Sequence, residues 1–128
     1  MTTTYVIDGA RVHSLQDFWT ALGEAVNGPG GYFGRGLDSL TDCLRGGFGT
    51  PDDGSYVFEW RDHAASRRAL GHPETARYLE GILARCHHTN RGRVAEELAQ
   101  ARAGRGPTLF DILTGIFADQ APDLLRLL

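Results

Sequence analysis

The chain reads as an α/β protein, a small three-stranded parallel sheet packed with helices and forming one domain over residues 1–128. Three short β-rich stretches, Thr4–Asp8, Ser55–Trp60 and Asp123–Leu128, are set apart by long segments whose apolar residues recur on a helical period. Connections of that kind suit parallel neighbours, which need crossovers rather than tight turns. With 128 residues, one domain can bury about two thirds of its unfolded surface, enough for a single core.

The elements follow in order. Thr4-Tyr-Val-Ile-Asp8 is the first strand, closed by the turn pair Asp8-Gly9. Ser14 offers an N-cap, with Asp17 three residues on as in a capping box. Leu15, Phe18, Trp19, Leu22 and Val26 then fall at helical spacing, and Asn27-Gly28-Pro29-Gly30 ends that helix. A second helix carries Leu37, Leu40 and Leu44 at i, i+3, i+7. A flexible loop from Arg45 to Gly54 leads to the buried strand Ser55–Trp60. Arg61–Leu70 reads as helix, stopped by Gly71. Pro73 suits the first turn of the next helix, which runs to Cys86. Arg91–Ala103 reads as another, broken at Gly104-Arg-Gly-Pro107. Thr108 caps a strongly apolar helix through Phe117, and Ala121-Pro122 turns the chain into the last strand. Internal repeats and low-complexity tails are absent from the sequence.

The chemistry concentrates in Gly31-Tyr-Phe-Gly34-Arg-Gly36-Leu-Asp38-Ser-Leu-Thr41-Asp42-Cys-Leu44. Asp38 and Asp42 stand at i, i+4, so both carboxylates point the same way. At about 6 Å they repel by roughly 0.7 kcal/mol in water and about 3 kcal/mol at an effective dielectric near 20. The helix dipole returns ~0.3–1 kcal/mol to Asp38 in the first turn and much less to Asp42. Arg45, three residues after Asp42, relieves part of the strain. Five of the nine residues from Gly28 to Gly36 are glycine, which leaves backbone N–H groups accessible and the pair Tyr32 and Phe33 exposed to a partner.

This motif, Gly-Tyr-Phe-Gly-x-x-Leu-Asp-x-Leu-x-Asp-x-Leu, resembles the signature of the barstar family, intracellular inhibitors of secreted microbial ribonucleases. Tyr5-Val-Ile-Asp-Gly, the helix from Leu15 to Val26 and Tyr56-Val-Phe-Glu-Trp60 agree with it in order. The likeness covers residues 4 to about 66 well and the C-terminal helix and strand more loosely. It implies the same three-stranded fold, with roughly residues 71–107 as an inserted pair of helices. It implies that Asp42 enters the nuclease's phosphate site, that Asp38 is its acidic neighbour, that Tyr32 packs against the nuclease and that Gly46 makes a backbone contact. The expected partner-binding residues are therefore Tyr32, Phe33, Gly34, Arg35, Gly36, Asp38, Thr41, Asp42, Arg45 and Gly46. Departures bear on affinity and on the choice of nuclease. Thr41 replaces a tryptophan of the best-known member. Arg35 and Arg45 flank the acids. Gly115 or Ile116 falls where the family has an acid on its last helix. The proline before the second strand has become Ser55 or has shifted to Pro51.

Charge supports a basic partner. Residues 1–60 carry eight acids against three arginines, and residues 61–128 eight acids against ten arginines. An acidic first half speaks against nucleic acid as the direct ligand. Lysine is absent, so a P-loop lacks its lysine, and neither Gly-x-Gly-x-x-Gly nor Gly-x-Ser-x-Gly occurs in these glycine loops. Asp38 and Asp42 could serve as an acid–base pair, but they share one helix face with no second polar wall that the sequence identifies. The expectation is therefore no enzyme. Cys86-His87-His88, with His72 upstream, lacks a second pair at zinc spacing and reads as a helix end. His13 and His63 form no constellation, and no metal or cofactor is expected.

No stretch approaches the ~18 apolar residues of a membrane span. The start Met-Thr-Thr-Thr-Tyr-Val-Ile-Asp has no basic-then-apolar character of a secretory signal. Two cysteines, Cys43 and Cys86, make no disulfide framework, and a reducing cytoplasm fits. Cys43 is expected to pack as a small hydrophobe. The expected partner is a secreted microbial ribonuclease in a 1:1 complex. The alternative is a non-inhibitory acidic adaptor for an unrelated basic protein.

Overall fold

A computed structural model describes residues 2–128. Strands β1 (Thr3–Asp8), β2 (Tyr56–Arg61) and β3 (Leu125–Leu127) form one sheet in the order β1-β2-β3, and both pairings are parallel. Phe58 sits opposite Tyr5 on one side and Leu125 on the other. Tyr56, Val57, Phe58 and Trp60 of β2 are all buried, as a central strand covered on both faces requires. The α/β expectation therefore holds.

Among the described residues six α-helices surround the sheet: α1 (Leu15–Asn27), α2 (Leu37–Leu44), α3 (His63–Ala69), α4 (His72–Arg85), α5 (Arg91–Arg102) and α6 (Leu109–Gln120). The Ser14 hydroxyl accepts from the Asp17 N–H at 3.1 Å, while the Asp17 carboxylate accepts from the His13 N–H, one residue earlier than a true capping box. Thr108 and Asp111 complete that box at the start of α6. Several boundaries differ from the sequence reading; the last strand, for example, is Leu125–Leu127 rather than Asp123–Leu128. Arg61 is not helical but the last residue of β2, paired with Asp8. Asp62 takes a left-handed conformation (φ 51°), which ends the strand and delays α3 to His63.

The main core is strongly aromatic. The Phe58 ring has Tyr5, Phe33, Tyr56 and Phe117 around it at centroid distances of 5.3–5.9 Å. Within it the Trp60 indole N–H donates to Ser66 Oγ, which donates in turn to the Gly9 carbonyl, both at 2.9 Å. Among the described residues no buried side-chain nitrogen or oxygen lacks a partner.

The α4–α5 hairpin has a smaller cluster of its own: Ala76, Leu79, Val94, Leu98 and Ala101. It is rooted in the body at the start of α4. Glu74 Oε2 accepts from the Leu15 N–H at 2.7 Å, and Thr75 Oγ1 accepts from the Leu109 N–H at 2.9 Å. Tyr78 packs against both clusters.

Candidate partner-binding face

Helix α2 is a short rod with a buried back and a charged front. Leu40 and Cys43 are fully buried and Leu44 nearly so, which fixes the helix against the body, and α6 lies beside it. Cys43 packs as expected. Asp38 and Asp42 are exposed on the other side, the Asp42 side chain being 68% accessible. Arg45 approaches Asp42 only to 4.0 Å, and its Nε donates to Gln120 Oε1 at 3.1 Å. An exposed pair of that length contributes at most about 1 kcal/mol, so the Asp42 carboxylate remains free to exchange it for a better partner. Thr41 turns its hydroxyl inward to the Leu37 carbonyl at 3.2 Å. Gly36 opens the helix from extended backbone without a side-chain cap, and Gly46 follows its end at the surface. Arg35 is exposed in the loop before α2.

Two loops flank the helix, and one side chain ties them together. The Asn27 amide, on the last residue of α1, donates to the Tyr32 carbonyl at 2.6 Å and to the Phe48 carbonyl at 2.9 Å. Tyr5 Oη reaches the Gly49 carbonyl at 3.4 Å. The first loop is seated by backbone contact. A Cβ on Gly31 would meet the Gly23 and Gly28 carbonyl oxygens at 2.7 Å, and one on Gly23 would collide with the Gly31 carbonyl. Gly34 is buried at φ 92°, and a Cβ there would lie 3.1 Å from the Leu40 N atom.

That seating corrects one expectation. Phe33 does not stand exposed beside Tyr32. It is fully buried, its ring centroid 5.9 Å from that of Phe58, because the tucked glycine loop carries it under α2. Gly34 is buried for the same reason and offers a partner no surface. Tyr32 remains 42% exposed. Its companion is Phe48, 43% exposed, with ring centroids 6.3 Å apart. The sequence reading passed over both Phe48 and Asn27. A lone large apolar residue set between Gly47 and Gly49 was the available signal for Phe48. Nothing local marked Asn27 as more than a helix end.

Electrostatics at the buried edge of this face are consistent with its layout. Burial pushes the Cys43 thiol above its ordinary pKa, the neighbouring Asp42 carboxylate adds to the rise, and the Tyr32 side chain opposes it. Elsewhere, α4 ends at Arg85 and His87 caps its own short turn by accepting from the Thr89 N–H. Among the described residues no group of three or more His, Cys, Asp or Glu side chains is placed to hold a metal. No helix among them is long and apolar enough to cross a membrane.

A family model described as Barstar (barnase inhibitor) matches residues 2–105. The chain therefore belongs to the barstar family. The matched span carries β1, α1, α2, β2 and α3 and continues through the α4–α5 hairpin; α6 and β3, which complete the core and the sheet, lie beyond it. No curated protein matches the chain.

Proposed function

We propose that this protein inhibits a small basic microbial ribonuclease of the guanyl-specific kind, in a 1:1 complex in the cytoplasm, by covering its active site with α2 and the two loops beside it. The observation that carries the reading is the placement of Asp42: exposed, weakly paired, and backed by a helix whose other side is locked into the core. An enzyme that binds RNA phosphates lines its cleft with cationic side chains. A carboxylate held rigidly at the right place can take a phosphate's position and accept charge-assisted, bidentate hydrogen bonds there. The order of the helix is already established before binding, so little conformational entropy is lost when the contact forms. Tyr32 supplies aromatic area beside the charge, and Phe48 extends it. Asp38 adds to the negative field that draws in a cationic partner, which makes association sensitive to salt. Arg35, Gly36, Thr41, Arg45 and Gly46 border the same surface. The protein acts by occlusion and does no chemistry of its own.

The direct test is a titration of barnase activity with the purified protein. Stoichiometric loss of activity, with an association rate that falls as salt is raised, is the expected outcome. Undiminished barnase activity at a large excess would reject the reading and leave the acidic face to an unrelated basic protein.

A further inference from the structure

The α4–α5 hairpin does not close onto α2. Between them lies a cleft of about 850 Å³ that begins at Gly36–Ser39, the first turn of the helix bearing Asp38 and Asp42. Its walls are apolar where the two helices face each other, with Leu37 on α2 and Tyr78 and Ile82 on α4. Charge lies at the edge. Asp38 comes from α2, Glu97 from α5, and Arg105 from the loop leading to α6. Arg93 also lines the cleft, but it is paired with Glu97 at 2.9 Å.

Three observations bear on what this cleft receives. First, it is continuous with the acidic face, because Asp38 belongs to both. A protein that engages Asp42 and Asp38 together therefore reaches the edge of the cleft. Second, the charges around Tyr78 are mixed: after burial, Asp38 raises its pKa, Arg85 opposes, and Glu97 adds the smallest share. With Arg93 committed to Glu97, the carboxylate left on the α2 side of the cleft is that of Asp38, which favours a chain segment with an apolar tip and a cationic group on the side facing α2. Third, the cleft has the volume of a small-molecule site but not its chemistry. Among the described residues no buried side-chain nitrogen or oxygen lacks a partner, and the Thr75 hydroxyl that lines the cleft is already committed to Gly71 and Leu109. No buried polar side chain is left free there to orient a small ligand, and the charged groups that line the cleft, Asp38, Arg93, Glu97 and Arg105, are all exposed.

We infer that the cleft is a second part of the nuclease-binding surface, in which a surface loop of the bound ribonuclease is gripped between α2 and the α4–α5 hairpin. The inference rests on the inhibitory reading above and extends it to helices that reading does not use. The hairpin is a wall that the partner's loop closes against. Its contribution falls on how long the complex lasts more than on how fast it forms, since apolar contacts in a cleft are made after encounter.

Two substitutions on the hairpin wall, one from each of its helices, test it with barnase as the probe. Ile82→Arg places charge in the cleft, and Gln100→Trp fills it; both positions are half-buried. Glu96→Ala, exposed on α5 and outside the cleft, is the control. The expected result is about a tenfold faster dissociation of the barnase complex for each cleft variant, with the thermal midpoint of the free protein preserved and the control unchanged. If both cleft variants hold barnase as long as the parent does, while Asp42→Ala does not, the cleft is no part of the interface and the inhibitory reading stands alone. If the parent protein does not bind barnase, both fail together. If the parent self-associates, and Ile82→Arg makes it monomeric without touching inhibition, the cleft belongs to a second copy of the chain and the inference is overturned.

Discussion

The body that presents α2 and the α4–α5 hairpin beside it are built of different material. The body's core is aromatic and interlocked, with Phe58 touching rings from β1, the first loop, β2 itself and α6. The hairpin's cluster is made of alanine, leucine and valine, and it meets the body through Glu74, Thr75 and Tyr78 near its root. The first arrangement holds a carboxylate in one place. The second is a two-helix wall held to the body at its root. On the proposed reading, the body presents the charge and the hairpin grips the partner's loop.

The comparison breaks most readily on stability. Phe33→Ala should lower the unfolding free energy by about 3–5 kcal/mol, because a fully buried ring leaves a cavity in a core that cannot collapse around it. Leu98→Ala in the hairpin should cost nearer 2 kcal/mol, since a small two-helix cluster can close over the gap. Denaturant melts of the two variants decide the matter, and equal losses would mean that the hairpin is as integral as the core. A smaller effect is expected from Asn27→Ala. It removes the donor to both loops, which should cost about 1–2 kcal/mol and weaken inhibition by loosening Tyr32 and Phe48 together. Inhibition unchanged in that variant would show that the loops hold their positions without the clamp.

The smallest effect concerns the thiol under Asp42. Because burial and the neighbouring carboxylate raise its pKa above the ordinary 9.0, the folded protein holds the Cys43 proton more tightly than the unfolded chain does. The corresponding stability is fully present below pH 9.0 and is lost as pH rises through the folded value. Alkylation at pH 8.5 should accordingly be much slower at Cys43 than at the half-buried Cys86. Equal rates at the two cysteines would contradict the packing described for α2.

Much of this was legible before any coordinates. The apolar period of Leu37, Leu40 and Leu44 set α2, and the β-branched and aromatic run from Tyr56 marked the central strand. The acid pair stood out as strain without an internal reward. What escaped was long-range. Phe33 looked like an exposed loop aromatic because glycines surround it, whereas those glycines are what let the loop pass close to α1 and bury the ring. Arg61 was given to a helix because nothing in its neighbours reveals that Asp62 turns left-handed. The roles of Asn27 and Phe48 depend on two loops from either side of α2 meeting at one side chain, about which local pattern is silent. The cleft, likewise, exists only once α4 and α5 have been placed against α2.

The central claim is that the negative charge of Asp42 stands in for a phosphate, and an isosteric change isolates it. Asp42→Asn keeps the shape and removes the charge. Losing two charge-assisted hydrogen bonds at about 1.5–3 kcal/mol each predicts an inhibition constant against barnase weakened by roughly a hundredfold or more. An inhibition constant equal to that of the parent protein would contradict the account.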